Sequence, residues 1–493
     1  MHADLILKNG TVLTMAGRDP SCRAECVAVA AGRILAAGSG ADLLGLRGPN
    51  TRVADMRGRV LLPGFNDCHM HILPYGLDLL QADLSPAAGV ADVPALVEAL
   101  RRWAAANPRS EWVLGSRYDQ NLFPGAAHPN RRDLDAAFPD RPVCVLQTSK
   151  HAAAVNSVAL RLAGVSRHTP DPEGGAIVRG ADGEPTGVLL ESAMRLVTRL
   201  IPRPDRSGMV EAVHRACREL ARRGVTAASD LNTGWHDLRA EIEIYRQAVA
   251  EGAPVRMTLF PHAPGFGKPE EVPAAHAFRA DVGLADRAWQ GPRGGAVRLG
   301  PLKLFSDGAL TTRTAALGEP YVDGAGCGML LHPPEELKAY VSAGCRHGWQ
   351  MAVHAIGDRA VALVLDAYAA AAPGPWPSPG RHRIEHAMLL DEALMGRIAE
   401  QGVVPVVQPE FLARLGDAYV LALGEERAAR INPVASLERR GIPVPFSSDC
   451  PIVPGAPLDG VAAAARRRTR SGRVLGPDER VPVLHGLRNY TRQ

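Results

Sequence analysis

The chain has 493 residues, 46% of them hydrophobic and 22% charged, with 56 basic against 52 acidic side chains and a net charge of +4. That is an ordinary globular composition, large enough for one big domain and a smaller one. The even charge, broken only by Arg466-Arg467-Arg468, argues against a nucleic-acid partner. Eight cysteines with no Cys-x-x-Cys pair argue against a disulfide scaffold or a zinc knuckle. No apolar run approaches the ~18 residues of a membrane span, and Met1-His2-Ala3-Asp4 does not open a secretory signal. No membrane partner is expected, and the cytoplasm is the expected compartment.

Residues 4 to 15 read as two strands around Asn9-Gly10, a strong hairpin signal, and Cys26 to Ala37 repeats the theme around Ala31-Gly32-Arg33. Residues 1–58 are thus expected to be a small antiparallel β unit, too thin to bury a core alone. From Val60 strands alternate with amphipathic runs such as Met209 to Arg223, Pro334 to His347 and Arg359 to Ala371. Eight candidate strands follow: Val60 to Asp67, Val225 to Leu231, Val255 to Pro261, Arg298 to Phe305, Gln350 to His354, Arg383 to His386, Val403 to Gln408 and Ile442 to Ser448. The pattern predicts an α/β fold, a (β/α)8 TIM barrel over 59–465, with a segment 466–493 after it. The first gap is too long for one helix, so residues 73–208 are expected to be an insertion after the first strand. The Ala/Pro/Gly segment 369–380 reads as a surface loop.

In such a barrel the chemistry gathers where strands end. The first strand ends in His69 and His71, whose i, i+2 spacing on extended backbone points both rings one way. The fourth carries Lys303 among apolar neighbours, the fifth ends in His354, the sixth in His386 and the eighth in Asp449. Any one of these alone has a plainer reading, as a hydrogen-bonded core histidine, a snorkelling lysine or a helix cap. Together they point to a metal centre. Lys303 weighs more because the chain has only five lysines, all its other basic residues being arginine.

Through PGFNDCHMH, KLFSDGALTTRTA, AVHAIGDRAV, RHRIEHA and PFSSDCP, the chain resembles the metal-dependent amidohydrolase superfamily, in its amidohydrolase-3 (YtcJ-like) branch, over nearly its whole length. SKHAAAVNSVAL and GGAIVRGADGEPTGVLLE in the insertion are similar to that branch too. The resemblance implies that His69 and His71 bind a first metal, that N-carboxylated Lys303 bridges two metals, and that His354 and His386 hold the second. Asp449 would bind the first and shuttle the proton. Burial lowers a lysine's pKa toward the neutral amine that takes up CO2, which arginine does not do. Such ligands suit Zn2+, with one or two divalent ions and other first-row metals open. The implied chemistry is attack by metal-activated hydroxide, the pKa of bound water falling from ~15.7 toward ~7.

Asp358 and Glu385 are candidates to orient His354 and His386, and Cys68 should point away into packing. Asp307, Arg313, Tyr118 and His151 are candidates to face the substrate. Residues 1–58 resemble the first part of the β-sandwich flanking the barrel in this family. Relatives continue past Pro482-Val483-Leu484-His485 with strands that complete it, so its C-terminal part is expected to be missing and an exposed sheet edge to lower solubility.

The implied activity is hydrolysis of a non-peptide carbon–nitrogen bond in a small-molecule amide, with an N-substituted formamide or N-acyl amine as the first expectation and a cyclic amide or carbamate as the alternative. A deaminase is less favoured because Ala355-Ile356-Gly357-Asp358 lacks the glutamate such sites add. Candidates at all six ligand positions weigh against an inactive scaffold. A homo-oligomer is left open.

Overall fold

The computed structural model describes residues 2–492 except 18, 149, 151, 173–174, 235–236, 285–287 and 372–380. The chain falls into two compact units, Met1–His71 with Arg218–Gln493, and Ile72–Cys217.

The first unit opens with β1 (Ala3–Lys8), β2 (Thr11–Leu13), β3 (Arg23–Ala24), β4 (Cys26–Ala30), β5 (Arg33–Gly38), β6 (Arg47–Asp55) and β7 (Val60–Leu61). They build two sheets, β5-β4-β1-β6 and β3-β2-β7. The hairpin expected across Asn9-Gly10 does not form. Asn9 takes a left-handed φ of 59° and turns the chain out of one sheet into the other. Gly10 is required there, since a Cβ would lie 2.6 Å from the Arg59 carbonyl oxygen. The second expected hairpin is present, Ala30 facing Arg33. The sheets are mixed rather than antiparallel, because β6 returns parallel to β1 and β7 parallel to β2.

The strand expected over Val60 to Asp67 is two strands. Pro63-Gly64 separates β7, which stays with β2, from β8 (Phe65–Met70), which begins the α/β part.

The unit Ile72–Cys217 holds β9 (Ala82–Asp83), β10 (Val113–Tyr118), β11 (Val143–Gln147), β12 (Ala152–Val155), β13 (Gly175–Arg179) and β14 (Pro185–Glu191), in the order β13-β14-β12-β11-β10-β9. The helix Val93–Ala106 starts where the Asp92 carboxylate accepts the Ala95 N–H at 2.7 Å. Its Leu96, Ala99, Leu100 and Ala104 recur at helical spacing and bury against Val113, Val143 and Val145.

Back in the first unit come β15 (Val225–Thr233), β16 (Arg256–Pro261), β17 (Trp289–Gln290), β18 (Ala296–Leu299), β19 (Leu302–Phe305), β20 (Met351–Ala355), β21 (Arg383–His386) and β22 (Val404–Val406). One sheet runs β17-β18-β16-β15-β8 and another β19-β20-β21-β22; apart from the β17–β18 pair, neighbours are parallel. Their near-continuous apolar sequences suit strands covered on both faces, and helices such as Leu238–Ala250, Pro334–Arg346, Asp358–Ala371 and Glu392–Gln401 lie between them in sequence.

The fourth expected strand splits at Gly300-Pro301, its first half pairing with β16 and its second with β20. A parallel bridge between His262 and Lys303 joins the two sheets there. The eighth is no regular strand, since Pro443 and Pro445 lack the N–H groups a ladder needs. It bridges Val407 through Phe446 and then bonds to the end of β8, the Asp449 N–H donating to the His69 carbonyl at 2.7 Å and the His71 N–H to that of Cys450 at 2.8 Å. The last helix, Val483–Asn489, backs this seam: the Asn489 carbonyl accepts the Phe446 N–H at 3.0 Å and the Tyr490 hydroxyl donates to the Ser447 carbonyl at 3.1 Å.

Of the segment 369–380, residues 372–380 lie outside the described residues, and 369–371 finish the helix Asp358–Ala371. Among the described residues no helix is long and apolar enough to cross a membrane.

Candidate metal centre

The seam between β8 and the eighth segment brings three side chains to one point. The Nε2 atoms of His69 and His71 lie 3.3 and 3.1 Å from Asp449 Oδ1, and the candidate ligand atoms of all three fall within 4.8 Å of one another. Asp67, two residues before His69, stitches the seam by accepting the Ser448 N–H at 3.0 Å and the Ser448 hydroxyl. Burial raises the Asp67 carboxyl to about 7. Asp449 and His386 both sit in the left-handed region, at φ 58° and 77°. Such backbone is costly for a non-glycine residue and gathers at functional positions.

His386 lies beside His69, ring centroids 4.8 Å apart, and His354 beside His386 at 4.5 Å. Each imidazole has one nitrogen against an oxygen acceptor: His69 Nδ1 and Glu385 at 2.7 Å, His386 Nδ1 and Gln408 Oε1 at 2.7 Å, His354 Nε2 and the Gly308 carbonyl at 3.1 Å. With the proton there, His354 and His386 each keep a lone pair on the opposite nitrogen, whereas His69 has a carboxylate oxygen at both of its nitrogens, Asp449 Oδ1 lying 3.3 Å from Nε2. Burial, with the neighbouring His354 and His69, holds the His386 pKa well down. Burial works to raise the Asp449 carboxyl, but His69 and His71 outweigh it and keep it well below the usual carboxylate range.

Lys303 is fully buried on β19, its Nζ 4.5 Å from the centre of the Phe305 ring. Burial lowers its pKa to about 8, against the opposing pull of Glu385 and Asp449.

A cation suits this arrangement. Among the described residues, Asp449 Oδ1, close to two rings, has no aligned hydrogen-bond partner, and neither has Lys303 Nζ. A buried polar atom without a partner costs ~1–3 kcal/mol, so such atoms are rare unless a function needs them. Two imidazoles and a carboxylate are the donors that bind divalent first-row metals, and the residues present fit such an ion.

The remaining candidates are placed differently. Glu385 reaches the ring of His69, not of its neighbour His386, since successive strand residues point opposite ways. Asp358 accepts the N–H groups of Gly318 and Arg359 and is bonded away from His354. Cys68 packs on Val404 and Val406 and donates to the Phe446 carbonyl at 3.2 Å, in line with a packing role. Asp307, expected to face substrate, spends its oxygens on the N–H groups of Ala316, Ile356 and Gly357. Arg313 is held within its own loop by Asp323 at 2.6 Å and by the Leu310 carbonyl. Tyr118 is buried in the Ile72–Cys217 unit with its hydroxyl 2.8 Å from His128 Nδ1. His151 lies outside the described residues.

Sequence reading passed over Gln408 and Arg383. Gln408 was visible as a polar residue ending an apolar strand. Arg383 carried a local signal, since it stands two residues before Glu385 on one strand and both point the same way, but its bond to the Cys68 carbonyl comes from a strand distant in sequence.

A family model described as the amidohydrolase family matches residues 52–493. The chain is 33% identical over 477 residues to a putative amidohydrolase, YtcJ, of Bacillus subtilis (strain 168), covering 95% of this chain and 86% of that one. It is 29% identical over 502 residues to an N-substituted formamide deformylase of Arthrobacter pascens, covering 99% and 88%. Among solved structures it resembles an uncharacterized metal-dependent hydrolase from Pyrococcus furiosus, with a TM-score of 0.74, 27% identity and coverage of 99% and 92%. A match of that extent shows that the chain belongs to the amidohydrolase family, as a hydrolase acting on carbon–nitrogen bonds.

Proposed function

We propose that the chain is a metal-dependent hydrolase of a small amide, with N-substituted formamides or simple N-acyl amines as its substrates, zinc as its metal and a closed (β/α)8 barrel as its frame. The observation that carries this is the meeting of His69, His71 and Asp449 within 4.8 Å, where two sequence-distant segments are laddered together. The barrel reading is supported by the His262–Lys303 bridge at one junction of the sheets and by the bonds of residues 446–450 to β8 at the other.

His69, His71 and Asp449 would hold a first ion and His354 and His386 a second, with Lys303, in its carbamate form, shared between the two. A divalent ion bound there supplies a Lewis acid for the carbonyl and acidifies water. The protein's own part is acid–base and positional. Asp449, kept ionised by the two imidazoles, takes the proton of the attacking water and gives it to the departing nitrogen, so that acid and amine leave in balance. The relative of Arthrobacter pascens supports the formamide class.

The test is a panel of N-formyl, N-acetyl, carbamoyl and cyclic amides given to zinc-loaded protein, with released amine measured. Turnover of the N-formyl or N-acetyl members, abolished by a chelator and restored by Zn2+, is expected. A filled metal centre that releases amine from none of them would sink the amide reading.

A further inference from the structure

The two sides of the centre are backed unequally. Behind His69 stands a carboxylate: Glu385 Oε2 lies 2.7 Å from Nδ1. Arg383 holds that carboxylate by two bonds, Nε to Oε1 at 2.7 Å and Nη2 to Oε2 at 2.9 Å. The same guanidinium donates at 2.8 Å to the carbonyl of Cys68, the residue before His69, and lies over the Phe260 ring at 4.8 Å. The carboxylate is therefore fixed both in charge and in direction.

Behind His386 stands a neutral amide. Gln408 Oε1 is 2.7 Å from Nδ1, and its orientation is set by Nε2 donating to Ser447 Oγ at 3.0 Å. His354 donates to a backbone carbonyl at 3.1 Å; Asp307 Oδ1 is farther, at 3.4 Å, and already accepts the Ile356 N–H. A carboxylate behind an imidazole draws on its N–H and makes the opposite nitrogen a stronger metal donor, which an amide or peptide carbonyl does more weakly.

We propose that Glu385, locked by Arg383, is the positioning residue that makes the His69 side the tight end of the centre, and that Gln408 leaves the His386 side the weaker, exchangeable end. This rests on the metal-dependent reading above.

The purified chain, stripped with a chelator, is titrated with Zn2+ against a chromophoric competitor. Glu385→Gln keeps the shape and removes the charge, and is expected to raise the Kd of the tightest step about 10–100-fold. Gln408→Glu is expected to tighten the weaker step more than the tightest one, because its carboxylate would back His386 directly and reach His69 only across the neighbouring ring. The division is overturned if Glu385→Gln leaves the tightest step unmoved, or if both variants shift the same step alike. Should Glu385→Gln fail to fold by circular dichroism, Gln408→Glu still decides, because tightening of the first step rather than the second would refute the assignment. A wild-type chain that binds no Zn2+ overturns the metal-dependent reading itself, a result distinct from wild-type binding that the variants do not change.

Discussion

Lys303 shows at the residue scale why a function must be sought at this place. An amine with no hydrogen-bond partner among the described residues, sealed inside a strand, costs folding energy that an apolar side chain of similar length would not. Lys303→Met is therefore expected to leave metal-free protein as stable as wild type or up to ~2 kcal/mol more so. Amide hydrolysis should fall at least about 100-fold, as when a group needed for the reaction is removed. Thermal denaturation and amine release, measured on one preparation, check both halves; a large loss of stability would mean that the lysine is structural. The six candidate ligands were legible because each stands at the end of an apolar run in a chain with few lysines. Their backing groups were not, apart from their chemical type. Glu385 was recognised as a carboxylate fit to orient an imidazole, but its partner is His69, 316 positions away, and adjacency suggested the wrong ring.

Prolines and glycines account for most of the differences at the scale of elements. The parallel strands were readable because buried strands are continuous apolar runs. The breaks at Pro63-Gly64 and Gly300-Pro301, and the loss of ladder bonds at Pro443 and Pro445, were in plain sight, but what each separates depends on which strand lies alongside. Asn9-Gly10 misled for the same reason: a turn signal does not say whether the flanking strands pair with each other. Asp307 illustrates an element-level role hidden behind a functional-looking residue. Its carboxylate ties the end of β20 to the loop before Gly318, where Gly357 packs so closely that a Cβ would lie 2.0 Å from the Ala316 carbonyl oxygen. Asp307→Asn turns an amide NH2 toward backbone N–H donors and is expected to cost about 2–3 kcal/mol. The midpoint of chemical denaturation measures it. A raised KM with unchanged stability would instead return Asp307 to the substrate.

The stability of the whole molecule should carry its own pH signature, separate from the catalytic groups. His382 is buried, its ring stacked on Tyr368 at 4.7 Å and its Nδ1 accepting the Met351 N–H at 3.0 Å. Burial lowers its pKa from 6.5 to about 4. A proton on Nδ1 would face a backbone donor, so the folded state prefers the neutral ring. Well above pH 6.5 neither folded nor unfolded chain is protonated there, and the histidine costs nothing. As pH falls from 6.5 toward 4 the unfolded chain binds a proton that the folded one refuses, and stability drains away. By pH 5 the loss should reach about 2 kcal/mol relative to pH 7.5. His382→Gln keeps an acceptor for Met351 and cannot titrate, so it should lose less on acidification by about that amount. Urea denaturation of both metal-free proteins at pH 7.5 and pH 5 reads the difference, and curves that fall in parallel would remove His382 as the source of acid lability.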